Sequence, residues 1–110
     1  MDFTKFVALL RSKSISEVVF TPHCEYRLQR RKISKDLVKS LLYDPKSLRG
    51  VLQQEPKERF KLYYTYTGDK DLVIIVDAKH IKSKLRLIVV TVFPQPARRR
   101  TKVREYERES

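Results

Sequence analysis

The chain has 110 residues, the length of one domain, and 41% of them are hydrophobic, which is enough for a buried core. Lys and Arg number 25 against 13 Asp and Glu, so the formal net charge is +12. This excess excludes an acidic or neutral surface and favours a polyanionic partner such as nucleic acid. One cysteine and two histidines exclude a disulfide framework and a cysteine-rich zinc cage. We therefore expect a protein of the reducing cytoplasm that uses no metal and no other cofactor.

Membrane insertion is not expected from the apolar pattern. The longest apolar runs, 72–76 and 87–93, fall far short of the roughly 18 residues that a membrane helix needs. The first residues lack the basic segment and the small-residue cleavage site of a signal peptide, and an amphipathic helix is expected there instead.

The first half of the chain carries the pattern of three helices and one short strand. Apolar residues spaced i, i+3, i+4 and i+7 predict a helix over 3–10, and the β-branched run 17–20 predicts a short strand. A threonine N-cap followed by proline opens a second helix, predicted over 22–32. A serine N-cap opens the third, predicted over 34–44, which ends because Pro45 forces the preceding residue out of the α region.

The second half carries strand patterns. Segments 51–54, 59–67, 72–76 and 85–93 are predicted strands, and the polar, Lys-rich stretch 77–84 is a predicted loop. The connections are too short for crossover helices, which excludes a purely parallel sheet.

These elements predict one α+β domain over residues 1–97. Two or three N-terminal helices would pack on an antiparallel sheet of three or four strands. Residues 98–110 hold six basic and three acidic side chains, so they supply +3 of the net charge. We expect this segment to be a flexible basic tail that docks on a partner.

The second helix carries the candidate site. At 100° per residue, His23, Arg27 and Arg31 lie within about 80° of one another, with Arg30 beside them. A helix start offers unpaired backbone N–H groups, and its dipole favours a neutral imidazole that can accept a proton. Metal-independent RNA cleavage needs such a base, an acid for the leaving oxygen and cations for the phosphorane. Thr91, which interrupts the apolar last strand, is the candidate site residue from the sheet.

Other basic side chains are candidates for binding nucleic acid. They are Arg30, Lys32, Lys35, Lys61, Arg98, Arg99 and Arg100. A simpler alternative stays open, in which the arginines form a solvated face paired with Glu25 or Asp36 and the histidine only packs or caps the helix. The cysteine of this helix is expected in the core.

Two segments carry a family resemblance: H-C-x-x-R-L-x-x-R-K-I-S over 23–34 and V-T-V-F over 90–93. They resemble H-A-x-x-R-M-x-x-R-G-I-S and I-T-V-Y in a small domain family of unknown function. That family is grouped with the RelE-like toxins in the barnase–EndoU–colicin–RelE class of metal-independent ribonucleases. The resemblance covers roughly residues 18–94, and it departs at Lys32, where the family has glycine, and at Phe93, where it has tyrosine.

The resemblance implies helices packed on a curved antiparallel sheet and an RNA-cleaving site near the sheet surface. Carried over by position, it implies His23, Arg27, Arg31 and Thr91 as site residues. It also implies RNA as the substrate, free or associated with the ribosome, and an antitoxin protein as a partner.

Three functional hypotheses follow. In the first, the protein is a RelE-like endoribonuclease in which His23 is the general base or acid, Arg27 and Arg31 bind the scissile phosphate, and Thr91 orients a reacting group. In the second, the same helix and the tail bind RNA or DNA without cleaving it. In the third, the cationic face docks an acidic protein partner.

Overall fold

Three helices lie on one face of a five-stranded sheet in the computed structural model, which describes residues 1–102. The elements in chain order are α1 (Phe3–Arg11), β1 (Ile15–Phe20), α2 (Pro22–Arg31), α3 (Lys35–Tyr43), a 3₁₀ turn (Pro45–Ser47), β2 (Leu48–Gln53), β3 (Arg59–Thr67), β4 (Lys70–Ile81), β5 (Lys84–Pro96) and a final 3₁₀ helix (Ala97–Lys102). The strand order is β1-β5-β4-β3-β2. The predicted α+β class is confirmed.

The prediction of an antiparallel sheet with three or four strands is wrong, because β1 joins the sheet as a fifth strand and pairs with β5 in parallel. Val18 lies opposite Leu87, and Phe20 lies opposite Val89. The two strands come from opposite ends of the chain, so no local pattern could reveal their pairing. The other three strand pairs are antiparallel.

The predicted loop 77–84 is also wrong, because most of it belongs to the β4–β5 hairpin. Strand β4 continues to Ile81, and only Lys82 and Ser83 form the turn. Both turn residues have positive φ, 50° and 66°, which suits the right-handed twist of a two-residue hairpin. Lys79 and the residues after it are exposed at this end of the hairpin, which explains a polar composition that resembles a loop.

Each of the three α-helices begins after a residue whose side chain accepts a hydrogen bond from a backbone N–H three residues later. These N-caps are Asp2, Thr21 and Ser34. The two that the sequence predicted, Thr21 and Ser34, are confirmed. Each such cap stabilises its helix by about 1 kcal/mol.

The main core lies between the helices and the sheet. Phe6 of α1 stacks on Phe60 of β3 with ring centroids 3.8 Å apart. Helix α2 contributes Cys24 and Leu28, both buried. The opposite face of the sheet carries a smaller cluster, built from strand residues around Tyr63 and Val73.

The first five residues of the predicted tail, 98–102, belong to the 3₁₀ helix Ala97–Lys102. Arg98 and Arg99 are exposed, whereas Arg100 forms an ion pair with Asp71, a residue only 1% exposed. The rest of the predicted tail, 103–110, lies outside the described residues. No helix within residues 1–102 has the length and the apolar character to span a membrane.

Candidate nucleic-acid interface

Helix α2 is attached to β5 near both of its ends. Strand β1 ends at Phe20, which lies opposite Val89 of β5. Helix α2 follows directly and lies beside the rest of β5, which β1 does not pair with. At its start, the Thr21 N–H donates to the Val89 carbonyl at 3.2 Å. At its end, the Arg31 guanidinium donates to the Val92 carbonyl at 2.6 Å. One flank of α2 is therefore held at a fixed place beside the sheet.

A groove of about 510 Å³ opens on this flank. It is lined by His23, Tyr26, Arg27, Arg30 and Arg31. The structure thus brings together the four helix residues that the periodicity placed on one flank. It adds Tyr26, which the sequence reasoning missed.

No side chain that lines this groove is acidic. Glu25, on the opposite flank of α2, accepts a hydrogen bond from Lys35 at 2.6 Å and lines a separate groove between α2 and α3. Asp36 lines that second groove as well. Among the described side chains, no ion pair involves an arginine of α2. The structure therefore does not show the alternative in which Glu25 or Asp36 pairs with these arginines.

The three arginines differ in what they contact. Arg31 is half-buried and uses one of its five N–H donors on the Val92 carbonyl. Arg30 donates to the Tyr26 hydroxyl at 3.0 Å, and its guanidinium carbon lies 5.7 Å from the centre of that ring. Arg27 is exposed and makes no hydrogen bond or ion pair within the described part of the chain. Its full set of donors is available to an anion.

His23 is exposed in the first turn of α2, two residues after the Thr21 cap. The neighbouring Cys24 is fully buried, and burial, followed by the negative charge of Glu25, raises the pKa of its thiol. A protonated thiol inside the core is a poor nucleophile, so Cys24 acts as a core residue.

Thr91 does not line the groove. It lies opposite Ile75 of β4, which belongs to the cluster on the sheet face away from the helices. It is also the residue before Val92, whose carbonyl holds Arg31. Thr91 thus adjoins the far end of the arginine row.

Two other predicted cations, Lys61 and Lys35, lie outside the groove and already contact other side chains. The Lys61 ammonium lies 5.4 Å from the ring centre of Tyr63 and 5.9 Å from that of Phe93. The Lys35 ammonium, besides its bond to Glu25, lies 5.1 Å from the ring centre of Phe20. Each of these two ammonium groups is therefore engaged by side chains of the protein itself.

Lys32 ends α2 with a left-handed backbone, φ 55°. The next N–H, that of Ile33, donates to the Leu28 carbonyl at 3.0 Å, which is the long bond of a Schellman ending. Glycine is the residue that prefers this conformation. The side chain of Lys32 is exposed and lies outside the groove lining.

The sheet face opposite the helices is less available to an anion than the α2 groove is. There Arg59 makes two hydrogen bonds to Asp77, at 2.8 and 3.0 Å, and Arg100 is paired with Asp71. Arginines that already hold a carboxylate must give it up before they bind a phosphate. The α2 groove needs no such exchange.

Within residues 1–102, no three His, Cys, Asp or Glu side chains come together as metal ligands. Comparison of the chain with protein-family models, with curated proteins and with solved structures finds no match. The resemblance to RelE-like domains therefore stays a prediction.

Proposed function

We propose that the protein binds RNA through the α2 groove and cleaves it without a metal ion. The observation that carries the proposal is the composition of the groove, which combines three guanidinium groups and one imidazole with no carboxylate. Guanidinium groups match the oxygens of a phosphodiester in charge and geometry. Arg27, which has no partner among the described residues, is the principal phosphate ligand, and Arg31 supports it with the donors that Val92 leaves unused.

The proposed chemistry starts at the ribose 2′-hydroxyl. His23 accepts the 2′-proton while the 2′-oxygen attacks the adjacent phosphorus. The arginines donate to the non-bridging oxygens, where negative charge builds up in the phosphorane. The products are a 2′,3′-cyclic phosphate and a 5′-hydroxyl. DNA has no 2′-hydroxyl, so it would be bound but not cut.

Thr91 has a supporting role in this proposal. It adjoins the carbonyl that holds Arg31, and it lies outside the groove lining. We assign Thr91 the role of orienting the site at that end, and no role in proton transfer.

The RelE-like class, with an antitoxin partner and a cytoplasmic location, belongs to the same proposal. Support comes from the two motif segments and from Lys32, whose left-handed backbone occupies the motif position where the family has glycine. Three helices on one face of a sheet suit that class as well.

A cleavage assay tests the proposal. Labelled RNA is incubated with the protein in excess EDTA, and the product ends are identified. We expect cleavage with 2′,3′-cyclic phosphate ends, which His23→Ala slows by about 10²- to 10⁴-fold. His80→Ala is the matched control, because His80 is an exposed histidine at the end of the β4–β5 hairpin and outside the groove. Equal cleavage by His23→Ala and the wild type, or a requirement for Mg²⁺, would contradict the proposal.

Binding without cleavage is the second candidate function. The observation that favours it is that the groove contains one imidazole and no carboxylate, so the usual pair of proton-transfer groups is incomplete. In that case Arg27→Ala weakens RNA binding about tenfold and reduces its salt dependence, while prolonged incubation gives no product. Lys39→Ala, which removes an exposed charge from α3, is the control with the same change in net charge.

A further inference from the structure

We propose that Tyr26 is the general acid of the α2 groove, the group that protonates the leaving 5′-oxygen. This inference rests on the proposed RNA cleavage and supplies the second proton-transfer group that the groove otherwise lacks.

Tyr26 lines the same groove as His23 and follows it by one helical turn. Tyr26 is 54% exposed, although an aromatic residue on a helix usually packs in a core. Side chains three residues apart on a helix are neighbours, with Cβ atoms about 5–6 Å apart. At 100° per residue, the two side chains diverge by about 60°, so they can approach one phosphate from two sides.

The hydrogen bond from Arg30 fixes the orientation of the Tyr26 hydroxyl. Because the Tyr26 oxygen accepts an N–H of Arg30 at 3.0 Å, its own proton must point elsewhere. The guanidinium carbon also lies 5.7 Å from the ring centre, a cation–π contact that restrains the ring. The phenol is thus held as a donor beside the anion-binding arginines.

The remaining side chains of the groove cannot fill this role. Arginine stays protonated in proteins, so Arg27, Arg30 and Arg31 can stabilise charge but cannot deliver a proton to the leaving oxygen. His23 is already used as the base. Tyr26 is the one other lining residue with a transferable proton.

In the cleavage step, one proton leaves the 2′-oxygen and one reaches the 5′-oxygen. The 2′-oxygen loses its proton to the His23 imidazole and forms the new bond to phosphorus. The bond from phosphorus to the 5′-oxygen breaks, and that oxygen keeps the electron pair and takes the phenolic proton of Tyr26. Imidazolium and phenolate remain, the phenolate beside the Arg30 cation. Water returns the proton from one to the other after the product leaves.

The test compares two substrates that differ in the leaving group. One is a uridine-containing dinucleotide, whose 5′-oxygen needs a proton. The other is the 4-nitrophenyl ester of uridine 3′-phosphate, whose leaving group departs without one. We expect Tyr26→Phe to slow cleavage of the dinucleotide by about 10²- to 10⁴-fold in kcat, with KM unchanged, and to cleave the ester within a few-fold of the wild type. His23→Ala should slow both reactions.

Tyr43→Phe is the matched control, since Tyr43 is a partly exposed tyrosine at the end of α3 and outside the groove. Circular dichroism and thermal unfolding check that each variant folds. Equal rates for Tyr26→Phe and the wild type on both substrates, or an equal loss on both, would overturn the assignment while leaving the proposed function intact. A wild-type protein that cleaves neither substrate would overturn the proposed function and this assignment together.

Discussion

Loss of the Arg100 guanidinium should destabilise the fold strongly. Asp71 is the one buried charged residue within residues 1–100, and Arg100 is its ion-pair partner. The Arg100→Ala variant leaves that carboxylate buried and unpaired. Breaking a fully buried pair costs about 3–5 kcal/mol. Because the Arg100 side chain is 25% exposed, the lower end of that range applies, about 3 kcal/mol.

Urea titration followed by circular dichroism measures this loss directly. A loss of about 3 kcal/mol in a domain of this size lowers Tm by roughly 15 °C. Arg98→Ala, which removes an exposed arginine from the same 3₁₀ helix, should change the free energy of unfolding by less than about 0.5 kcal/mol. In a double-mutant cycle, Asp71→Ala should cost much less in the Arg100→Ala background than in the wild type.

Additive losses in that cycle, or an Arg100→Ala variant as stable as the Arg98→Ala control, would refute the reasoning. Either result would mean that the ion pair does not stabilise the fold. The candidate role of Arg100 in binding nucleic acid, which the sequence predicted, would then become the better interpretation.

Three further predictions concern α2. Lys32→Gly should stabilise the protein by about 1 kcal/mol in urea unfolding, since glycine adopts the left-handed backbone without strain; an unchanged midpoint would contradict this. Arg31→Ala should lower the free energy of unfolding by about 2 kcal/mol because it removes the hydrogen bond to the Val92 carbonyl. Arg27→Ala should leave the free energy of unfolding within about 0.5 kcal/mol of the wild type and weaken RNA binding. Equal stability of the two variants would contradict the structural role of Arg31. Burial raises the pKa of the Cys24 thiol above its ordinary value of 9.0. The thiol therefore contributes fully to the stability of the fold below pH 9.0, and this contribution is lost as the pH rises through the raised pKa. Disulfide reagents should therefore label the thiol slowly in native protein at pH 8 and at once in urea, and rapid native labelling would contradict its burial.

The helices could be predicted because their signals are local. A capping side chain and the apolar positions of one helix all fall within about ten residues, and for this reason Thr21 and Ser34 were identified correctly as helix starts. The sheet depends on pairings between distant segments. The parallel pairing of β1 with β5 has no local signature, and the exposed end of the β4–β5 hairpin looks like a loop in composition.

The same distinction applies to the candidate site. Helical periodicity was enough to put His23, Arg27 and Arg31 on one flank of α2, and the structure gathers them in one groove. It could not show that Arg31 also reaches a carbonyl of β5, or that Arg100 pairs with Asp71, since both contacts join residues far apart in sequence. A local signal does exist for Tyr26, namely a tyrosine four residues before an arginine on the same helix.

The central claim, that the α2 groove binds and cleaves RNA, is tested most directly by one gel. Labelled RNA is incubated with wild-type protein and with His23→Ala in EDTA, and each lane is examined for a shifted band and for products with 2′,3′-cyclic phosphate ends. We predict a shift with both proteins and products with the wild type alone. A shift without products would establish the binding module instead. The absence of both at low salt would contradict the claim and point to an acidic protein as the partner of the cationic groove.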